Sequence, residues 1–253
     1  LVYKLPQLVE PLEGAERENY CEGRERSSVD WNLLETLGWT VILGLLLFTL
    51  VLTYTRNAWL GTVGGLLVLL WIYRSRWLIW GIMLLVVVFL ALPGAFKSRV
   101  YSGFDPDDTT TRIRLELLLT GLNIVTAHPW TGLGPNMVPH FYQDYNGTDE
   151  FPSSIYQHLH NNPLHIAAEM GVLTLLVWLG LWVRLFWDFI LFTRNGLRSA
   201  FSLYSAIAGI SVLVAFLTAG FFEYNFGDSE ILILLLFFVT TPYVVQLEQE
   251  QAT

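Results

Sequence analysis

The sequence predicts an all-α, polytopic integral membrane protein, a bundle of about six spanning helices with one large, partly helical loop outside the cytoplasm. Three observations predict it. Of 253 residues, 53% are hydrophobic and only 14% charged, and mean hydropathy is +0.48. A soluble domain of this length carries far more charge. The charges are also clumped, leaving residues 36–55, 57–73, 77–96, 199–222 and 231–247 without any. Finally, a chain this short cannot wrap so many apolar helices in a polar layer of its own.

A bilayer-spanning helix needs roughly 20 mostly apolar residues, with about 17 as the lower limit. The five uncharged stretches qualify. A sixth runs from Met170 to Phe192 and is interrupted only by Arg184 and Asp188. These two lie four residues apart, so on a helix they can pair. Ahead of the first span lies a polar segment, residues 1–32, which begins at Leu1 rather than Met. That start leads to the expectation of further sequence upstream.

Orientation follows from Lys and Arg in the short loops. Arg74-Ser75-Arg76 joins the second and third stretches, and Arg194 and Arg198 lie between the fourth and fifth. Both are expected in the cytoplasm, and two crossings separate them, so they agree. The 1–32 segment and the 248–253 tail then also fall inside. The turn at Arg56-Asn57, the loop 97–165 and the loop Glu223 to Glu230 fall outside. The formal net charge of -8 argues against a nucleic-acid partner, and the single cysteine, Cys21, rules out an intrachain disulfide or a cysteine metal site.

The long outer loop holds all five histidines, His128, His140, His158, His160 and His165, together with Arg99, Arg112 and Arg114. Within it, Thr111 to Ala127 reads as an amphipathic helix, because Leu115, Leu118, Leu119, Leu122 and Val125 recur at helical spacing. Asp107 or Asp108 can cap its start and His128-Pro129 ends it. Trp130 to Pro135 reads as a turn. The next helix is expected to begin near Asn161 or Asn162, with Pro163 in its first turn.

Three elements of this outer face carry residues suited to chemistry. Arg56 sits at a span end, where it is either an interfacial anchor or a ligand. Arg112 and Arg114 sit near a helix start, which disfavours cations. They suggest an anionic partner unless Asp107 and Asp108 suffice. His158-Leu-His160-Asn161-Asn162 places two histidines where a helix begins, with free N–H groups able to face an anion. Arginines bind phosphate oxygens bidentately, and a histidine takes a proton near neutral pH. A diphosphate leaving group and a hydroxyl nucleophile need both, and the membrane setting makes a lipid-linked diphosphate the natural donor. A zinc site from His158, His160 and His165 is a rival reading, although the spacing matches no familiar zinc motif.

The segment His158-Leu-His-Asn-Asn-Pro-Leu-His-Ile-Ala-Ala-Glu-Met-Gly171 resembles the HxHNxxLxxxxExG signature of the O-antigen ligase and polymerase superfamily. Arg114-Leu-Glu-Leu-Leu118 followed by His128-Pro-Trp-Thr-Gly132-Leu-Gly134 resembles its RxxxW and PxxGxG elements. Thr55-Arg56-Asn-Ala-Trp59 resembles its SRxxW element. Order and spacing match across about residues 40–245. The resemblance implies a GT-C-like fold, with residues 33–247 forming the ligase-like membrane domain and residues 97–165 its periplasmic loop.

It further implies a glycosyltransferase of the bacterial inner membrane. The enzyme would move a glycan from undecaprenyl diphosphate to an acceptor hydroxyl, lipid A core or another glycan, during lipopolysaccharide biosynthesis. Arg56 and Arg114 would hold the diphosphate and His160 would be the base. His158, Asn161, Glu169, Gly132 and Gly134 would support them. No metal and no cofactor are implied, and the partners are the lipid-linked donor, the acceptor and membrane lipids. The chain departs from the pattern in places. Thr55 replaces Ser, and Leu118 stands where Trp is common, which leaves Arg112 as an alternative to Arg114. Further spans are expected upstream. The loop Phe222 to Glu230 resembles a segment of some relatives, and reads either as cleft lining or as solvated loop. A polymerase with a lipid-linked acceptor fits the same residues. A transport role, as once proposed for bicarbonate in this superfamily, would need ionisable residues within the spans, where only Arg184 and Asp188 qualify.

Overall fold

The computed structural model describes residues 31–73, 79–83, 94–105, 107–147, 158–194 and 200–251. The expected span at 77–96, the basic loop Arg74-Ser75-Arg76 and the segment 1–30 lie largely or wholly outside these residues. The chain divides into two units, Leu1–Leu52 and Thr53–Thr253. In the first, helix α1 spans Trp31–Leu52.

The second unit contains α2 (Arg56–Tyr73), α3 (Gly94–Tyr101), α4 (Thr109–Ala127), α5 (Val138–Tyr145), α6 (Asn162–Arg194), α7 (Ala200–Gly220) and α8 (Ser229–Gln251). Single 3₁₀ turns lie at Ser102–Phe104 and Asn225–Gly227. The described residues contain helices and no strand, which bears out the all-α expectation. Four helices among them are long and apolar enough to cross a bilayer: Leu33–Leu52, Asn162–Arg194, Ala200–Gly220 and Ser229–Gln251. The apolar part of α2, Arg56–Ile72, is shorter.

Small residues set the packing of α2. A Cβ on Gly61 would lie 2.7 Å from the Ala215 carbonyl oxygen, and one on Gly65 would lie 2.8 Å from that of Ser211. A Cβ on Gly64 would lie 3.2 Å from the Thr218 hydroxyl oxygen. The i, i+4 glycines of α2 therefore fit the Ser211, Ala215 and Ala219 ridge of α7, the small-residue close approach that suits helices in lipid. As numbers rise along α2 they fall along α7, so the pair is antiparallel. The start of α2, carrying Arg56, lies beside the end of α7.

The core proper lies between α6, α7 and α8. Trp178, Trp182, Leu185 and Phe189 pack against Ile210, Leu213 and Phe216, and against Leu235 and Val239. Arg184 donates from Nε to Asp188 Oδ2 at 2.9 Å, the pairing expected from their spacing. Tyr243 donates its hydroxyl to the same oxygen at 2.8 Å, which ties α8 to α6. A buried charge with two donors is far cheaper than an unpaired one.

Helix α6 is broken once. Gly171 has φ 82° and ψ 167°, a conformation open only to glycine. The part after the break, about 34 Å at 1.5 Å per residue, matches a hydrocarbon core of roughly 30 Å. The part before it begins at Asn162, the last residue of the His160-Asn161-Asn162 (HNN) motif. The break leaves helix backbone groups without their usual partners, and the turn after α4 supplies them. Leu133 N–H donates to Ala168 O (2.9 Å), Gly134 N–H to Glu169 O (2.8 Å), and Val172 N–H to Pro129 O (2.8 Å). Gly132 (φ 63°) lies against the Glu169 backbone, and Gly171 against the Trp130 carbonyl, where a Cβ on either would collide. The spaced PxxGxG and ExG elements are thus two halves of one backbone clamp.

Candidate active site

Helix α4 starts as expected. Asp108 Oδ1 accepts from the N–H groups of Thr110 (3.1 Å) and Thr111 (3.2 Å), and His128 ends the helix. Its protein-facing side is Glu116, Leu117, Thr120, Gly121 and Ile124. Glu116 accepts from the Tyr142 hydroxyl (2.9 Å) and from Asn146 Nδ2 (2.7 Å), which holds α5 to α4. Leu115, Leu118, Leu119 and Leu122, which mark the helix in sequence, are all exposed, and on the buried side Gly121 lets Leu159 and Leu164 approach closely.

A cavity of about 690 Å³ opens between α2, α4 and the starts of α6 and the α7–α8 loop. Arg56, Arg114, His160 and Asn161 line it, with Trp59, Leu60, Leu115, Leu118, Phe221 and Phe222 among the apolar lining. Arg56 donates from Nη1 to Ser102 Oγ at 3.2 Å. Of the two arginines of α4, Arg114 lines the cavity, whereas Arg112 is exposed and is not among the lining residues.

The HNN motif is positioned by its asparagines. Asn161 Oδ1 caps α6 by accepting from Leu164 N–H (2.8 Å), and its Nδ2 donates to Phe221 O (3.0 Å). Asn162 is fully buried. It donates to Asn225 Oδ1 and accepts from Phe226 N–H (3.1 Å). Both asparagines therefore hold the loop after α7, and that loop carries Glu223. Its Oε1 lies 2.6 Å from His160 Nδ1 and 3.8 Å from His158 Nε2. His160 itself has φ 48°, an unusual backbone for a non-glycine residue. The rings of His158 and His160 meet edge to face at 4.5 Å.

Burial pushes the Glu223 carboxyl up, but the hydrogen bond and charge of His160, the Tyr224 N–H and His158 outweigh it and hold it below the usual carboxylate range. His158 is pushed down, by burial first and then by His160, so it stays neutral at physiological pH. Burial, with Glu169 and Asp228 nearby, raises the Tyr224 phenol.

His165, grouped with the other two histidines in the zinc reading, turns elsewhere. Its Nε2 lies 3.4 Å from Glu169 Oε2, its Nδ1 accepts from Leu159 N–H (3.4 Å), and its ring meets that of Tyr224 at 3.9 Å with the planes tilted by 47°. Both His165 and Glu169 are buried. Glu169, Gly132 and Gly134 act on the clamp around Gly171 rather than on the cavity. Glu223 had no assigned role in the sequence reading. The signal available was an acid three residues past a span end, followed by Asn225 as a partner for the HNN motif.

A sequence model of the O-antigen ligase family matches residues 41–179, more than half of the chain. The chain belongs to the O-antigen ligase family. The match contains Arg56, Arg114, the PxxGxG turn and the whole HxHNxxLxxxxExG element, so the membership covers most of the cavity wall. It ends before α7, the Glu223 loop and α8. A search of curated proteins finds no match.

Proposed function

We propose that this O-antigen ligase family member is a metal-independent glycosyltransferase. It moves a glycan from undecaprenyl diphosphate to an acceptor hydroxyl of lipid A core or a similar glycan, at the periplasmic face of the inner membrane. The observation that carries this reading is that Arg56, Arg114 and His160, far apart in sequence, line one cavity.

The chemistry follows from the residues. The acceptor hydroxyl attacks the anomeric carbon as the bond to the diphosphate oxygen breaks. The carboxylate of Glu223 accepts from His160 Nδ1–H, which leaves the Nε2 lone pair free to take the hydroxyl proton. Charge that builds on the leaving diphosphate falls between the guanidinium groups of Arg56 and Arg114, which remain charged at any physiological pH. The apolar lining, Leu60, Leu115, Leu118 and Phe221 among it, suits the first isoprene units of the carrier. Inside α6, Asp188 pairs with Arg184 and also accepts from the Tyr243 hydroxyl.

The test is a gel of surface polysaccharide from a strain lacking the gene. Loss of attached glycan with accumulation of lipid-linked polymer supports ligation. Single-repeat chains would reassign the chain to polymerisation, and an unchanged pattern would overturn glycosyl transfer.

A further inference from the structure

His158, His160 and Glu223 each bring one ligand atom to a cluster in which these atoms all lie within 4.8 Å of one another, with Glu223 Oε1 at 3.8 Å from His158 Nε2 and 2.6 Å from His160 Nδ1. Zinc held by two imidazoles and a carboxylate has bond lengths of about 2.0–2.2 Å, which places neighbouring ligand atoms about 3.3–3.5 Å apart in a tetrahedron. The separations from Glu223 Oε1, 2.6 and 3.8 Å, lie on either side of that value. Side-chain exposures of 27–32% leave the fourth position open to water. At 3.8 Å, His158 Nε2 is beyond hydrogen-bond distance of Glu223 Oε1, and a cation between the two imidazoles and the carboxylate would engage both.

We infer that His158, His160 and Glu223 form a transition-metal site of zinc type, and that filling it silences the enzyme. The ligand set of imidazole and carboxylate suits zinc and its neighbours rather than calcium or magnesium. Binding is a property of the cluster alone, whereas the silencing rests on the glycosyl-transfer reading above. The mechanism is one of tautomers. Without metal, His160 donates its Nδ1–H in a hydrogen bond to the carboxylate and keeps a free Nε2 lone pair. With metal, the Nδ1 lone pair goes to the ion, so the single proton of the neutral ring sits on Nε2. Nε2 then donates and can no longer take a proton from the acceptor hydroxyl.

The test uses the intact protein in detergent or nanodiscs, titrated with zinc against a chromogenic indicator, and with cobalt as a spectroscopic probe. One zinc per chain is expected, with a dissociation constant in the micromolar range or below, and a tetrahedral cobalt spectrum that needs no variant. His158→Ala is expected to weaken zinc binding at least tenfold, and Arg56→Ala to leave it unchanged. Transfer by the wild type is expected to fall in step with zinc occupancy and to return with chelator. No bound zinc, or binding that survives His158→Ala, overturns the site. Zinc that accelerates transfer overturns the silencing. A protein that binds zinc as expected but transfers no glycan when metal-free supports the site, and counts against the transfer reading instead.

Discussion

Nδ1 of His160 and Oε1 of Glu223 lie 2.6 Å apart although 63 residues separate them in the chain. The contact exists because Asn161 and Asn162 reach the same loop, binding Phe221, Asn225 and Phe226. The motif thus carries both the proposed base and the means of bringing its carboxylate partner to it. Glu223 acts through His160, so it is a positioning residue.

His160→Ala is expected to lower kcat by about 10²–10⁴-fold, the usual worth of a placed general base. Glu223→Gln keeps the shape of the side chain but not its preference for one tautomer. It is expected to cost roughly 10–100-fold in kcat with little change in acceptor KM. Single-turnover assays on a lipid-linked donor check both. A Glu223→Gln effect seen only in KM would reassign the residue to acceptor binding.

The arginines act on the donor. Arg56→Ala and Arg114→Ala each remove a charged hydrogen-bond partner of a phosphate, worth about 1.5–3 kcal/mol or one to two powers of ten in rate. Lysine is expected to rescue poorly because it lacks the planar fork. Arg112→Ala is expected to be close to neutral, since Arg114 and not Arg112 lines the cavity. Transfer rates for the three variants, normalised to protein in the membrane, decide it. A dead Arg112→Ala beside an active Arg114→Ala would reverse the assignment.

Much of this was legible in the sequence, and the reasons are physical. The uncharged stretches 36–55, 199–222 and 231–247 coincide with helices long enough to cross a bilayer, because bilayer thickness fixes the length of a span. Capping residues such as Asp108 and Pro163 mark helix starts because their effect is local. The pairing of Arg184 with Asp188 follows from helical period alone. What stayed hidden depends on contacts between distant segments. Which face of α4 is buried depends on Leu159 and Leu164 packing over Gly121. The structural duty of Glu169 depends on the turn after α4, and the turn of His165 toward Tyr224 and the reach of Glu223 depend on where the α7–α8 loop docks.

Topology gives a third prediction. The site gathers at the start of α2, the start of α6 and the end of α7, while Gln251 lies at the far end of α8 from the site loop. In a Cys21→Ser background, Gln143→Cys is expected to react with an impermeant maleimide on intact spheroplasts, and Gln251→Cys only after lysis. Both side chains are exposed. The opposite pattern would place the cavity in the cytoplasm and remove the periplasmic donor from the proposal.

The last prediction concerns how Arg56 is held. No side chain fits between α2 and α7 at Gly61, where a Cβ would lie 2.7 Å from the Ala215 carbonyl oxygen and 3.0 Å from the Ala219 Cβ. The obstacle is backbone, which cannot rotate away, so Gly61→Leu must push the helices apart. Overpacking of this kind typically costs about 1–3 kcal/mol. Arg56 lies little more than one turn away on the same helix, so the displacement carries it from Ser102 and from the cavity wall. Gly61→Leu is expected to lower the thermal midpoint in detergent and to reduce transfer at least tenfold. Gly180→Leu is the control, because its Cβ meets nothing within 4 Å on α6, and it is expected to leave both measures near wild type. Equal losses in the two variants would show that added bulk in a span is harmful in itself, and that the close approach of α2 to α7 is not what positions Arg56.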